Sequence, residues 1–132
     1  MSSSAVQAFE RGADAINRLD ADALAELVHE DGVFEPLRAA TEGAYVGPDG
    51  MRRFVADTVE TFDVFEATLT EVSDLGDGKV LGVGTIRMRG RGSGFQNDVT
   101  TAAVAQFRDG LLTRYKDYGD PELARQAAAN DW

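Results

Sequence analysis

The stretch "DVTTAAVAQFRDGLLTRYKDYGDPELARQAA", Asp98–Ala128, decides the fold. "DVTTAAVAQF" and "LLTRYKDY" alternate in the period of two expected of strands, and the "RDG" between them is a hairpin turn. Asp120 and Pro121 then have the form of a helix cap and a first helical residue. Asp117 stands between Tyr115 and Tyr118, just before that helix, which makes it a candidate carboxylate at a pocket mouth. Working back from this stretch, "FEATLTEVSD" and "KVLGVGTIRMRG" read as two more strands, joined by "GDG" and followed by "GRGSG". Four strands in sequence with short turns form an antiparallel meander.

The first half has a different period. Val6, Phe9, Ala13 and Ile16 recur at helical spacing, and Ser4 with Gln7 has the form of a capping box. After "LDAD", Leu24, Leu27 and Val28 mark a second helix, predicted to end near "HEDG", where Gly32 permits a turn. "VFEPL", Val33–Leu37, predicts a short strand that Pro36 confines to an edge or a bend. "TEGAYVGPDG" reads as a loop, and Pro48 opens a third helix striped by Met51, Phe54, Val55, Thr58, Val59 and Phe62. The fold class is α+β: one domain, residues 1–132, with a curved antiparallel sheet wrapped as a cone around the N-terminal helices. A sheet curled over a helix encloses a cavity suited to a small molecule.

Composition excludes several classes of function. The formal net charge of −10 opposes nucleic-acid binding, which needs a basic face. With no cysteine there is no disulfide, thiol nucleophile or cysteine metal site, and a single histidine cannot complete a zinc set. No apolar run is long enough to span a membrane. "MSSSAVQAFERG" lacks the basic and apolar segments of a signal peptide, so a cytoplasmic location is expected. His29 is expected at the exposed end of the second helix. "GRGRGSG" fits neither a P-loop nor a dinucleotide fingerprint and reads as a hairpin loop.

"AINRLDADALAELVHEDGVFEP", "YVGPDGMRRF", "GRGSG", "FRDGLLTRYKDY" and "DPELARQAA" together resemble the SnoaL-like branch of the nuclear transport factor 2-like superfamily. That superfamily includes ketosteroid isomerases, polyketide cyclases and limonene epoxide hydrolases. The resemblance implies a cystatin-like, ketosteroid-isomerase-like roll. It also implies a homodimer packed through the outer sheet face, with Leu81, Val83 and Thr85 contributing.

The family's chemistries can be mapped position by position. The tyrosine and protonated aspartate of a ketosteroid isomerase would fall near Gly12 and Ala103, which donate nothing, leaving Glu35 as a candidate base. The late aspartate of the epoxide hydrolases matches Asp117, but their arginine and first aspartate fall near Gly84 and Ile86. The reading that survives is an isomerase- or cyclase-type pocket with a proton-shuttling carboxylate, for which Asp117 is the first candidate. By alternation Thr113 and Tyr115 share its strand face, and Val99, Thr101, Ala103, Ala105 and Phe107 face the same side from the preceding strand.

The candidate site is therefore Asp117 and Glu35 as catalytic carboxylates. Phe9, Phe54, Ile86, Met88, Thr101, Ala103 and Tyr115 are the candidate ligand contacts, with no metal or cofactor. Phe34, Phe62 and Phe65 are expected mostly in the core. The expected partner is a small apolar metabolite. The alternative to an enzyme is a non-catalytic binder using the same pocket.

Overall fold

The computed structural model describes residues 3–37 and 43–132. Helices α1 (Ser4–Asn17) and α2 (Ala21–Glu26) lead into strand β1 (Val28–Glu35). A two-residue strand β2 (Tyr45–Val46) precedes helix α3 (Gly47–Thr61). The meander follows as β3 (Phe62–Gly76), β4 (Lys79–Gly90), β5 (Gln96–Arg108) and β6 (Leu111–Asp117), and helix α4 (Pro121–Asn130) ends the chain. The strands form one curved sheet in the order β2-β1-β6-β5-β4-β3.

Asp77–Gly78 and Asp109–Gly110 both hold positive φ at each residue, the two-residue turn whose twist matches the flanking strands. They make β3–β4 and β5–β6 tight hairpins. β1 lies parallel to β6, so the sheet is mixed at that junction and not wholly antiparallel as expected. The connection that makes this pairing parallel is the long excursion through α3 and β3–β5.

Three boundaries differ from the sequence reading. α1 is capped by Ser3, whose side chain accepts from the Val6 N–H at 3.1 Å, and not by Ser4. α2 stops at Glu26 because Val28 begins β1, and the Leu27 carbonyl accepts from the Leu112 N–H at 2.8 Å. Gly32 is thus inside a strand, where a Cβ would lie 2.5 Å from the Leu112 carbonyl oxygen. His29 consequently sits in β1 rather than at a helix end, its Nδ1 accepting from the Asp31 N–H at 3.0 Å. Phe62 opens β3 instead of closing the helix before it. Of the stretch expected as loop, Thr41 and Glu42 lie outside the described residues, and Tyr45–Val46 pairs with β1.

Two apolar layers flank the sheet. On the concave side, Phe9, Leu24, Val28, Phe34, Met51, Phe54 and Leu112 join the three N-terminal helices to β1, β4, β5 and β6. On the convex side, Ala124 and Ala128 of α4 cover Leu81, Ala102 and Val104. Leu81 is therefore only 1% exposed and is closed over by this chain's own helix, so it is not the open apolar patch that the sequence assigned to a partner. Thr85 is exposed and Val83 half-buried.

A bulge sits between Leu69 and Glu71 in β3. It brings the Thr68 carbonyl oxygen to 2.1 Å from where a Cβ on Gly84 would lie. Gly84→Ala should open the β3–β4 ladder and destabilise the protein by about 2 kcal/mol, read as a lowered urea midpoint.

Candidate functional site

The concave face and the N-terminal helices enclose a cavity of about 430 Å³. α1 contributes Ala8, Phe9, Gly12, Ala13 and Ile16, and α3 contributes Met51 and Phe54. Sheet residues complete it, among them Phe65, Ala67 and Leu69 from β3, Ile86 and Met88 from β4, and Val99, Thr101, Ala103 and Phe107 from β5. Leu112, Tyr115 and Asp117 come from β6. Of all the described lining residues, only Thr101, Tyr115 and Asp117 have polar side chains. They adjoin one another, so the cavity is an apolar chamber with one polar corner.

Asp117 is 8% exposed and is held by three donors. Its Oδ1 accepts from the Ala102 N–H at 3.0 Å and the Gly119 N–H at 2.9 Å. Its Oδ2 accepts a short hydrogen bond from the Thr101 hydroxyl. The bond to Gly119 is an Asx turn, which aspartate forms readily because its side chain reaches its own backbone two residues on. Asp117 is thus both a wall of the cavity and the clasp that closes the β5–β6 ladder before α4.

The Tyr115 ring stacks on Phe34 at 4.5 Å and lies parallel to Phe9 at 6.5 Å. Phe34 meets Phe54 edge-on at 4.9 Å, and Phe54 meets Phe65 edge-on at 6.4 Å, so rings line one side of the chamber. Burial, and then the neighbouring Asp117 charge, push the Tyr115 phenol well above its ordinary range. A side-chain hydrogen bond with Thr101 acts the other way and is outweighed. Tyr115 is a neutral phenol at physiological pH.

Every candidate contact named from the sequence (Phe9, Phe54, Ile86, Met88, Thr101, Ala103 and Tyr115) lines the cavity, as does Asp117. Glu35 does not: Phe34 is the buried neighbour on β1, and alternation turns Glu35 to the other face, in register with Lys116. Thr113 also fails to reach the chamber. The register shifts between Gln106 and Phe107, and Leu112, not Thr113, takes the inward place. Phe34, Pro36, Leu37, Phe62, Phe65 and Leu112 are wall residues that pattern reading left in the core or unplaced. Periodicity reports that a side chain is buried, not whether it meets another side chain or a void. Among the described residues, no group of three or more His, Cys, Asp or Glu side chains could hold a metal ion. No helix among them is long and apolar enough to cross a membrane.

A cone of sheet over helices with an internal apolar chamber defines the nuclear transport factor 2-like class of folds. Within it, this chain belongs to the SnoaL-like domain family, which matches residues 9–115. No curated protein matches the chain in sequence. Among solved structures, it is similar to a nuclear transport factor 2-like protein of unknown function from Burkholderia pseudomallei, with TM-score 0.79 and 18% identity over 94% of this chain and 97% of that one. It is also similar to a protein from Shewanella denitrificans provisionally assigned as a SnoaL-like polyketide cyclase, with TM-score 0.74 and 19% identity over 93% and 97%. A third likeness is to an epoxide hydrolase of M. tuberculosis, with TM-score 0.73 and 19% identity over 93% and 83%. At these identities the likeness is one of fold.

Two measurements test this account of the site. Asp117→Ala strands the Ala102 and Gly119 N–H groups and should cost about 2–4 kcal/mol, whereas Asp117→Asn keeps one acceptor and should cost about 1 kcal/mol, both by urea unfolding. In an alkaline ultraviolet titration, Tyr115 should stay protonated after ordinary tyrosines ionise. Because its folded-state pKa is raised, this contribution to stability is complete below about pH 10 and is lost as pH rises beyond it. Tyr115→Phe should flatten that decline.

Proposed function

We propose that the chain binds a small, largely apolar metabolite in the chamber and exchanges a proton with it through Asp117, as an isomerase- or cyclase-type acid–base protein. One observation carries the reading: a single charged group stands in an otherwise apolar chamber, at its one polar corner. Apolar walls supply affinity, and the corner fixes the ligand's orientation. Asp117 Oδ2 receives one hydrogen bond and keeps a lone pair for the ligand, which is the requirement for a general base.

The ketosteroid isomerase reading is disfavoured by Gly12 and Ala103, which line the chamber without a donor. An epoxide hydrolase arrangement is disfavoured because no arginine is among the described lining residues. A second reading, binding without turnover, is favoured by the three hydrogen bonds that commit Asp117 to the fold.

The experiment is a thermal-shift screen of apolar metabolites, followed by native mass spectrometry on the hits. Gly12 has open space where a Cβ would point, so Gly12→Leu should fill the chamber from α1 without touching the polar corner. We expect Gly12→Leu to weaken every hit about tenfold or more while the protein stays folded. Hits that bind this variant unchanged would place the ligand elsewhere. Product formation that Asp117→Asn abolishes, with binding retained, selects the enzyme; retained function selects the binder.

We also propose a homodimer, formed through the convex face of β3–β5 beyond α4. Its support is the exposed polar strip of Thr68, Thr85 and Thr100 with the Arg87–Asp98 pair at 3.9 Å, whose opposite charges could each meet the other on a two-fold related copy. Light scattering at micromolar concentration should give twice the 14.2 kDa chain mass, and Thr85→Glu should return it to the monomer.

A further inference from the structure

The protons of the polar corner can be followed one by one. The Thr101 hydroxyl has a single proton, and it goes to Asp117 Oδ2. Tyr115, pushed above its ordinary range by burial and by the Asp117 charge, keeps its phenol proton at physiological pH. Asp117 Oδ1 has both lone pairs occupied by backbone N–H groups. What remains facing the chamber is a lone pair on Asp117 Oδ2, beside the neutral Tyr115 hydroxyl. The corner's one charged group is thus an acceptor.

The charge is equally one-sided. No lysine, arginine or histidine is among the described residues that line the chamber, and none of the described ion pairs involves Asp117. A buried carboxylate held by neutral donors keeps its attraction for a cation at close range in a medium of low dielectric. Ring faces of Phe9, Phe34 and Tyr115 stand in the same wall, and a ring face attracts a cation. The net charge of −10 draws cations toward the protein and repels anions.

We propose that the ligand is a lipophilic amine, bound as its ammonium ion with an N–H donated to Asp117 and its hydrocarbon body against the apolar walls. This rests on the chamber being a ligand site, as argued above, but not on turnover. It predicts that a charged donor outbinds a carbonyl oxygen of the same size, because the corner's charged group is an acceptor and its phenol is a neutral donor.

Isothermal titration with four probes of similar size tests it: 3-phenylpropylamine, 3-phenylpropanol, benzylacetone and 3-phenylpropionate. The amine should bind about tenfold or more tightly than the ketone, with the alcohol between them and the carboxylate weakest. Asp117→Asn should remove most of the amine's advantage. Tyr115→Phe gives an independent readout: it takes away the neutral phenol, leaves the Asp117 carboxylate, and should keep the amine's advantage over the ketone. A ketone or carboxylate that binds the unaltered protein as well as the amine overturns the amine assignment alone. So does a Tyr115→Phe variant that folds and loses the amine's advantage over the ketone. Failure of all four probes overturns the chamber as a ligand site, and the assignment with it.

Discussion

The Asp117 carboxylate is the constraint on which the rest depends. Where β6 leaves the sheet, the Ala102 and Gly119 N–H groups are beyond the reach of the regular ladder, and a buried N–H without an acceptor is costly. One carboxylate oxygen takes both. In doing so it fixes the turn at Gly119, and the turn sends the chain across the convex face as α4, capped by Asp120. The alanines of α4 then bury Leu81, Ala102 and Val104. The group that faces the chamber therefore also assembles the layer on the other side of the sheet. A neutral side chain could satisfy part of that geometry, but it would not bring a negative charge into an apolar room.

The chamber owes its shape to irregularities in the strands. Register shifts occur between Val28 and Val33 in β1, between Leu69 and Glu71 in β3, and between Gln106 and Phe107 opposite Thr113. Each bends its strand and strengthens the local twist, so the sheet curls over α1 instead of lying flat on it. The bulge in β3 also fixes chemistry by exclusion. With the Thr68 carbonyl pressed on Gly84, no side chain can project from that position, near which the sequence resemblance would set an epoxide hydrolase's arginine. Fold geometry and missing chemistry thus have one cause.

Much of this was legible in the residues, and the failures have identifiable reasons. The two Asp-Gly hairpins and the Pro121 helix are dictated by local backbone preferences, which act within a few residues and leave a clear mark in sequence. The pairing of β1 with β6 is set by packing some eighty positions apart, so nothing local announces that Val28 has left the helix or that His29 lies in a strand. Alternation placed Tyr115 and Asp117 correctly but misplaced Thr113, because one extra residue in a bulge reverses the side of everything before it. Glu35 was misjudged for a related reason: the strand begins at Val28, and Phe34 takes the inward place. Leu81 was assigned to an open apolar patch because the sequence shows that it is apolar but not that α4 already covers it.

The emptiness of the chamber is itself encoded. Ala8, Gly12, Ala67 and Ala103 all line it, on one helix and two strands, where larger apolar residues would close it. Filling such a space would bring stability, since a void forfeits dispersion contacts on every side. A packing defect would be scattered; here the small residues on separate elements converge on the same volume, opposite the one buried charge among the described residues. The fold also accepts that charge without a cation to neutralise it, which costs further stability unless something arrives to pair with it. Two separate costs, the missing volume and the unmatched charge, fall at one place. A single bound molecule of the proposed kind, with an apolar body and a donating head, would offset both and would stabilise the folded chain by mass action as it did so. On the proposed reading, the chamber is half of a core whose other half is the ligand.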